Sequence, residues 1–164
     1  MRRIGIIGGG RFGANLAEAL AERGIEVLLL DRDRAVVDRM AGIAAKAMEG
    51  DATEEGTLEA AGFRDCDIAV VAVGSDMECS LLATLALKEM KVPHVIAKAA
   101  NDMHGKVLAR VGADRVVDLA LVPVVRDGAF VRPTALRELI RACGPTITLP
   151  TEAPRLGPPA RPTP

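Results

Sequence analysis

The sequence predicts an α/β protein with a Rossmann-type, doubly wound parallel sheet of six strands and a short irregular C-terminal extension. Three observations predict it. Short apolar runs alternate with longer stretches of helical periodicity along residues 1–117. Several of these runs are continuously apolar, which is typical of parallel strands covered on both faces. A glycine-rich turn follows the first run directly and opens a helix, as dinucleotide-binding folds require.

The predicted strands are short runs rich in aliphatic residues, at 3–7, 26–30, 44–48, 67–73, 94–98 and 115–117. The predicted helices lie between them, at 11–23, 34–40, 54–61, 76–90 and 102–111. Gly24, Gly62 and Gly112 follow three of these helices, where glycine commonly ends a helix. Right-handed crossovers between consecutive parallel strands then give the doubly wound arrangement.

Residues 1–118 are therefore predicted to be one nucleotide-binding domain. Residues 119–144 form a short extension with room for one helix at 134–142. Seven of the last twenty residues, 145–164, are proline, which predicts a disordered or extended tail.

Composition excludes several classes of function. The net charge of −1 gives no general attraction to nucleic acid or anionic lipid, and 2% aromatic content argues against base stacking. No apolar run reaches the ~18 residues of a membrane span, so we expect a cytoplasmic protein without direct membrane insertion. Cys66, Cys79 and Cys143 form no CxxC and lack histidines at metal-ligand spacing, so we interpret them as small buried residues and expect no metal site.

The glycine-rich turn reads Gly-Gly-Gly-Arg-Phe-Gly over residues 8–13 and fits the pattern GxGxxG. In that pattern Gly8 permits the tight turn, Gly10 lets a pyrophosphate approach the backbone, and Gly13 lets the helix pack closely on the strand. Arg11 and Phe12 lie between the last two glycines, where the helix N-terminus favours phosphate. The turn predicts a site for an adenine nucleotide or dinucleotide.

Asp31 ends the second predicted strand, where a carboxylate binds ribose hydroxyls and disfavours the 2′-phosphate of NADP. Arg32 follows it and could hold such a phosphate, but we prefer to interpret it as a solvated surface charge. Asp51 could accept from an adenine amino group or cap the next helix, with Thr53 as a rival cap and Ala52 between them.

Two more strand ends lie on the same edge of the predicted sheet. Val73 and Gly74 end one of these strands, and Gly74 would allow close backbone approach. Asp76 is interpreted as a helix cap. Lys98 could reach phosphate or a neighbouring subunit, or could extend its amine into solvent as surface lysines do.

No catalytic residues are predicted. The chain has no tyrosine, and neither His94 nor His104 has an acid partner evident from the sequence, so both are interpreted as structural or surface histidines. A sensor is therefore favoured over an NAD(P)-dependent oxidoreductase, a stand-alone dinucleotide-binding module or a degenerate interaction module. The predicted helix at 76–90 is apolar on more than one side, which predicts a homo-oligomer unless residues 119–144 cover it.

These motifs together resemble the N-terminal nucleotide-binding domain, called RCK or TrkA-N, of Trk/Ktr-type potassium-uptake regulators. The motifs that carry the resemblance are 8–13, 27–31, 50–53, 70–74, 95–99 and 112–117. The resemblance implies a regulatory subunit that binds NAD(H) or ATP/ADP and controls a membrane potassium-translocating partner, through which it is held at the inner membrane.

The resemblance also assigns roles to residues. It implies that Arg11 reaches phosphate, that Asp31 holds ribose, and that 51–53 border the adenine, with Gly74 and Lys98 completing the pocket. The family's Pro-Glu pair after the last motif is replaced by Leu119 and Ala120.

Overall fold

Parallel strands with helices on both faces build the described part of the chain. The structure, a computed structural model, describes residues 2–118 of the 164. Its strands are β1 (Arg3–Ile7), β2 (Glu26–Asp31), β3 (Lys46–Glu49), β4 (Ile68–Val71), β5 (His94–Ala99) and β6 (Arg115–Asp118). Its helices are α1 (Arg11–Ala21), α2 (Arg34–Met40), α3 (Thr57–Ala60), α4 (Met77–Glu89) and α5 (Asp102–Val111).

The strands form a sheet in the order β3-β2-β1-β4-β5-β6, and every neighbouring pair is parallel. Ile4 of β1 pairs with Val27 on one side and with Ile68 on the other. The chain thus runs outward from β1 to β3 and then returns to β4 on the opposite side of β1. This reversal creates the crevice in which such sheets bind ligands. The predicted six-stranded Rossmann-type fold is confirmed.

The core has two layers because successive side chains of each strand point to opposite faces of the sheet. Ile6 packs in one layer with Leu20 of α1, and Ile7 packs in the other with Leu87 of α4. All four side chains are buried. The strands β1, β2, β4 and β5 are therefore apolar on both faces, which is the physical origin of the continuous apolar runs in the sequence.

Several predicted boundaries are wrong by a few residues, and one helix is much shorter than predicted. The helix predicted at 54–61 covers only Thr57–Ala60, because Gly56 has a left-handed φ of +81° at its start. The strand predicted at 44–48 is Lys46–Glu49, and the strand predicted at 67–73 is Ile68–Val71. Gly24 and Gly112 do lie in positive-φ turns after α1 and α5, as predicted.

The predicted extension at 119–144, its helix at 134–142 and the tail at 145–164 lie outside the described residues. Within residues 2–118, no helix is long and apolar enough to cross a membrane.

Candidate functional site

The loop between β1 and α1 lies at the carboxyl end of the sheet, where the strand order reverses. Gly8 has a φ of +96°, which L side chains rarely adopt. A Cβ on Gly8 would also lie 3.0 Å from Val73 Cγ1 and 3.2 Å from the carbonyl oxygen of Ala72. The Gly8 N–H donates to the Leu30 carbonyl at 2.8 Å. Backbone conformation and packing therefore both require glycine at this turn.

Gly13 brings α1 into direct contact with the end of β1. A Cβ on Gly13 would collide with the carbonyl oxygen of Gly8, a backbone atom that cannot rotate away. Gly13 is buried within α1. The close approach of helix and strand therefore depends on the missing side chain, and it aims the N-terminus of α1 at the crevice.

Gly10 differs from both of these glycines. It is the N-cap of α1, with φ −67° and ψ −167°, an extended conformation that any residue adopts. It is exposed, and a Cβ built on it finds no heavy atom within 4 Å among the described residues. Neither the conformation nor the packing of this loop explains why residue 10 is glycine.

Asp31, at the end of β2, ties the glycine loop to its neighbouring strand. Its Oδ2 accepts from the Gly9 N–H at 2.6 Å, and its Oδ1 accepts from the Asp33 N–H at 2.8 Å. A carboxylate offers about four acceptor positions, so room remains for ribose hydroxyls. Asp31 therefore has a structural role in addition to the ligand role that the sequence predicts.

A groove of about 550 Å³ opens on the β4–β5 side of the loop. Its lining comes from the loop and from the carboxyl ends of β4 and β5: Gly10, Arg11, Phe12, Ala72, Gly74, Ser75, Lys98, Ala99 and Ala100. It therefore lies beside the N-terminus of α1, on the opposite side of β1 from Asp31.

Lys98 and Arg11 are the two basic residues in the lining of this groove, and Lys98 comes from β5. Its Nζ lies 5.8 Å from the centroid of the Phe12 ring, and a Cβ on Gly74 would come within 2.6 Å of it. Gly74 thus leaves space for the lysine side chain. Burial lowers the pKa of Lys98 below its ordinary value. Within residues 2–118 the ammonium has no hydrogen bond or ion pair, so it is available to an anion.

Arg32 lies on the other side of the loop. Its Nη2 is 2.6 Å from Asp76 Oδ2, and its Nη1 is 3.8 Å from Asp51 Oδ2. These carboxylates raise the pKa of Arg32. The side chain remains 55% exposed, so it is a surface charge, and both carboxylates share its guanidinium.

Asp51 caps a turn and not a helix. Its Oδ1 accepts from the backbone N–H of Thr53 at 2.9 Å and from the Thr53 hydroxyl at 2.7 Å. The next helix begins after Gly56, which makes no side-chain cap, so neither residue is the helix cap that the sequence allowed. Hydrogen bonds from Thr53, with the charge of Arg32, hold the pKa of Asp51 below its usual range. Ala52 between them is buried.

His104 supports the far wall of the groove from within the fold. Its Nδ1 accepts from the Ala100 N–H at 2.9 Å, and its Nε2 lies 3.1 Å from Ser80 Oγ. Since the backbone N–H must donate, the neutral tautomer carries its proton on Nε2. Burial lowers the pKa of His104. It is therefore a structural histidine, as the sequence reading favoured.

The TrkA-N domain family matches residues 4–119 of the chain. This chain belongs to the TrkA-N family. Among curated relatives, the Ktr system potassium uptake protein C of Bacillus subtilis is 43% identical over 116 residues, which cover 71% of this chain and 52% of the relative. The Trk system potassium uptake protein TrkA of Mycobacterium tuberculosis is 30% identical over 97% of this chain and 75% of its own length. The chain thus spans about half the length of several curated relatives it matches.

Solved structures with the same fold include proteins with bound nucleotides. The GsuK structure bound to ADP aligns with a TM-score of 0.64 at 25% identity, over 87% of this chain and 34% of that one. The GsuK channel bound to NAD aligns with a TM-score of 0.63 at 25% identity, over 87% and 23%. The Kef C-terminal domain of Shewanella denitrificans in its AMP-bound form aligns at 0.63 and 25%, over 73% of both chains.

Sequence reasoning missed part of this TrkA-N domain's site. Gly9 donates to Asp31, and Ser75, Ala99 and Ala100 line the groove. Ser75 follows Gly74 in the loop after β4, and the two alanines end or directly follow β5, so the strand-end rule that selected Gly74 and Lys98 could have selected them. Val73 lies against Gly8 and supports the turn.

Proposed function

We propose that this TrkA-N chain is a nucleotide-sensing regulatory subunit that controls a membrane potassium uptake system or channel. Its relatives are potassium uptake proteins, and its structural neighbours include GsuK with ADP or NAD. The ligand of this chain is then NAD(H) or ATP/ADP, and the partner is a potassium-translocating subunit. The protein is cytoplasmic and is held at the inner membrane by that partner.

Gly10 is the observation that carries the proposal. The fold does not need glycine there, because its φ is negative and a Cβ would meet no described atom. A ligand that approaches the backbone at this point would need the space, as a pyrophosphate does at the second glycine of GxGxxG. The free N–H groups at the start of α1 supply donors and a favourable dipole for its charge.

Charged groups on both sides of Gly10 suit the two ends of a nucleotide. Asp31 lies on the β2 side, where ribose hydroxyls would donate to its remaining acceptor positions. Arg11 and Lys98 lie on the groove side, where phosphate oxygens would accept from them. Within the described residues, Arg11 makes no hydrogen bond or ion pair, so the fold does not use its charge.

The positions of the two histidines fit a regulatory role better than they fit catalysis by an oxidoreductase. His104 is fully buried against Ser80 and Ala100 and cannot exchange protons with the groove directly. His94 begins β5 and therefore lies at the amino edge of the sheet, opposite the glycine loop. We therefore propose a binding protein without catalytic residues in this domain.

Self-association is part of the proposal. Leu82 and Leu85 of α4 are 41% and 42% exposed, and Met77 at the start of the same helix is 44% exposed. Several large apolar side chains exposed along one helix are typical of an interface. A second copy of the chain would bury them in a dimer or ring.

The test is potassium flux through the reconstituted translocating subunit, with the full chain added in the presence of ADP, ATP, NAD or NADH. A ligand changes flux only if it binds one conformation of the assembly more tightly than the other. Arg11→Ala should keep the fold but lose the nucleotide response. Arg39→Ala removes another exposed arginine, in the last turn of α2, and should keep the response. Flux that no nucleotide changes, together with no complex, would refute the proposal.

A further inference from the structure

Arg32 stands where an arginine can decide between two classes of adenine nucleotide. It directly follows Asp31, the acid at the end of the second strand. In dinucleotide-binding folds that acid binds the free 2′-hydroxyl of the adenine ribose, whereas a nearby arginine accommodates a 2′-phosphate. The chain therefore carries both signals side by side, and the sequence alone leaves them in conflict.

The conflict is resolved by two carboxylates from distant loops. Asp76, at the N-terminus of α4, lies 2.6 Å from Arg32, and Asp51, after β3, lies 3.8 Å from it. We name Asp51, Arg32 and Asp76 the acid–arginine cluster. In both acids it is Oδ2 that faces the guanidinium. A 2′-phosphate that approached Arg32 would therefore also meet the negative charge of these oxygens.

The two acids are held in place by their other oxygens. Oδ1 of Asp51 accepts from the N–H and hydroxyl of Thr53, and Oδ1 of Asp76 accepts from the Cys79 N–H at 3.0 Å. Asp76 is thereby the N-cap of α4. These hydrogen bonds and the nearby Arg32 lower the pKa of both carboxyls, so both are ionised at neutral pH.

The charge balance at this end of the crevice is negative. Asp31, Asp51 and Asp76 carry three formal negative charges against the single positive charge of Arg32. A phosphate monoester brings roughly −1.5 to −2 more at neutral pH. The phosphate and the three carboxylates would repel each other, and the charge of Arg32 is already shared by Asp51 and Asp76.

We propose that the acid–arginine cluster makes this site select adenine nucleotides with a free 2′-hydroxyl and reject those with a 2′-phosphate. The inference rests on the proposed function, because it needs an adenine ribose beside Asp31. It assigns the exclusion of NADP(H) to named side chains besides Asp31, and it leaves NAD(H), ATP, ADP and AMP as possible ligands. Arg32 is then a specificity residue whose charge is neutralised and not a phosphate ligand.

The test compares AMP with adenosine 2′,5′-bisphosphate, which differ only in the 2′-phosphate, by calorimetry on the full 164-residue chain. The wild-type chain should bind the bisphosphate at least about tenfold more weakly than AMP. The double variant Asp51→Asn with Asp76→Asn keeps both Oδ1 acceptors and removes only the charges that face Arg32. In this variant the ratio of the bisphosphate Kd to the AMP Kd should fall by about tenfold. The released guanidinium of Arg32 can then donate charge-assisted hydrogen bonds to the 2′-phosphate.

Two further variants isolate the cause. Asp38→Asn with Glu49→Gln removes the two acids that pair with Arg34, at 3.0 and 3.5 Å, and changes the net charge equally. It should leave the AMP preference unchanged. Adding Arg32→Ala to the Asp51/Asp76 variant should abolish the gained bisphosphate affinity. Circular dichroism verifies that each variant is folded.

Different failures have different meanings. If AMP binds but the Asp51/Asp76 variant keeps the wild-type preference, or if the Asp38/Glu49 variant narrows it equally, the inference is overturned and the nucleotide site stands. If the wild-type chain binds the bisphosphate as tightly as AMP, or more tightly, the inference is overturned by that measurement alone. If neither AMP nor ADP nor NAD binds, the proposed nucleotide site fails and the inference fails with it.

Discussion

Two substitutions in the glycine loop, Gly13→Ala and Gly10→Val, should separate folding of the domain from binding of its nucleotide. A Cβ at residue 13 collides with the carbonyl oxygen of Gly8, so α1 must move away from β1. Overpacking costs about 1–3 kcal/mol where side chains can adjust. Here the obstacle is backbone, so we expect a loss of about 3 kcal/mol or more. That is a large share of the roughly 5–15 kcal/mol that stabilises a domain.

Gly10→Val should leave the stability nearly unchanged. The residue has negative φ, and no described atom lies within 4 Å of the added Cβ. Replacing glycine stabilises by about 0.4–1 kcal/mol through the unfolded chain, whereas a residue without a capping side chain weakens a helix N-cap by about 0.5–1 kcal/mol. These effects offset each other to within ~1 kcal/mol. The valine side chain fills the space that a pyrophosphate would use, so nucleotide binding should be lost.

Stability is measured by urea unfolding, followed by far-ultraviolet circular dichroism, because the chain has no tryptophan or tyrosine for fluorescence. Binding of ADP and NAD is measured by calorimetry. The reasoning is refuted if Gly10→Val binds either nucleotide as tightly as the wild-type chain does. It is equally refuted if Gly13→Ala unfolds at the wild-type urea concentration, since the backbone collision would then carry no cost.

Three other changes test separate parts of the structure. Asp31→Ala should weaken ADP or NAD binding by about 1–3 kcal/mol in calorimetry. It should also lower the free energy of unfolding, because the buried Gly9 N–H loses its acceptor; unchanged affinity would remove Asp31 from the site. Burial lowers the pKa of His104 below 6.5, so the unfolded chain takes up the proton more readily. The free energy of unfolding should therefore fall as the pH drops through that value, and His104→Asn should flatten this slope between about pH 7 and 5 in urea titrations; equal slopes would contradict the assignment. Leu82→Glu with Leu85→Glu should convert an oligomer to a folded monomer in light scattering, because both side chains are exposed on α4; a wild-type monomer at micromolar concentration would contradict self-association.

The fold was largely predictable because its signals are local. The strands β1, β2, β4 and β5 are runs of mostly buried aliphatic residues, and Gly24 and Gly112 mark helix ends through their positive φ. The helix predicted at 54–61 failed for a reason that is local but ambiguous. Leu58 and Ala61 are buried at helical spacing, yet Gly56 adopts a left-handed φ, which a glycine inside a helix would not do. Composition alone does not say which conformation a glycine takes.

The candidate site was less predictable because its pairings are not local. The strand-end rule brought Asp31, Asp51, Gly74 and Lys98 to one edge of the sheet, as the structure places them. The rule could not show that Arg32 reaches Asp76, 44 residues further along the chain. That contact depends on how far the end of β2 lies from the start of α4 across β1. No periodic pattern encodes this distance.

The strength of each site assignment depends on whether the fold already explains the residue. Asp31 satisfies two backbone N–H groups, so a carboxylate would be useful at this position without any nucleotide. An acid at the end of the second strand is therefore weaker evidence for a bound ribose here than it is in other proteins with the GxGxxG pattern. Gly10 and Arg11 are the opposite case. Within residues 2–118, nothing in the conformation or packing requires a glycine at 10, and the charge of Arg11 has no partner. A bound phosphate would explain both residues, because it needs the open space at Gly10 and a positive charge such as that of Arg11.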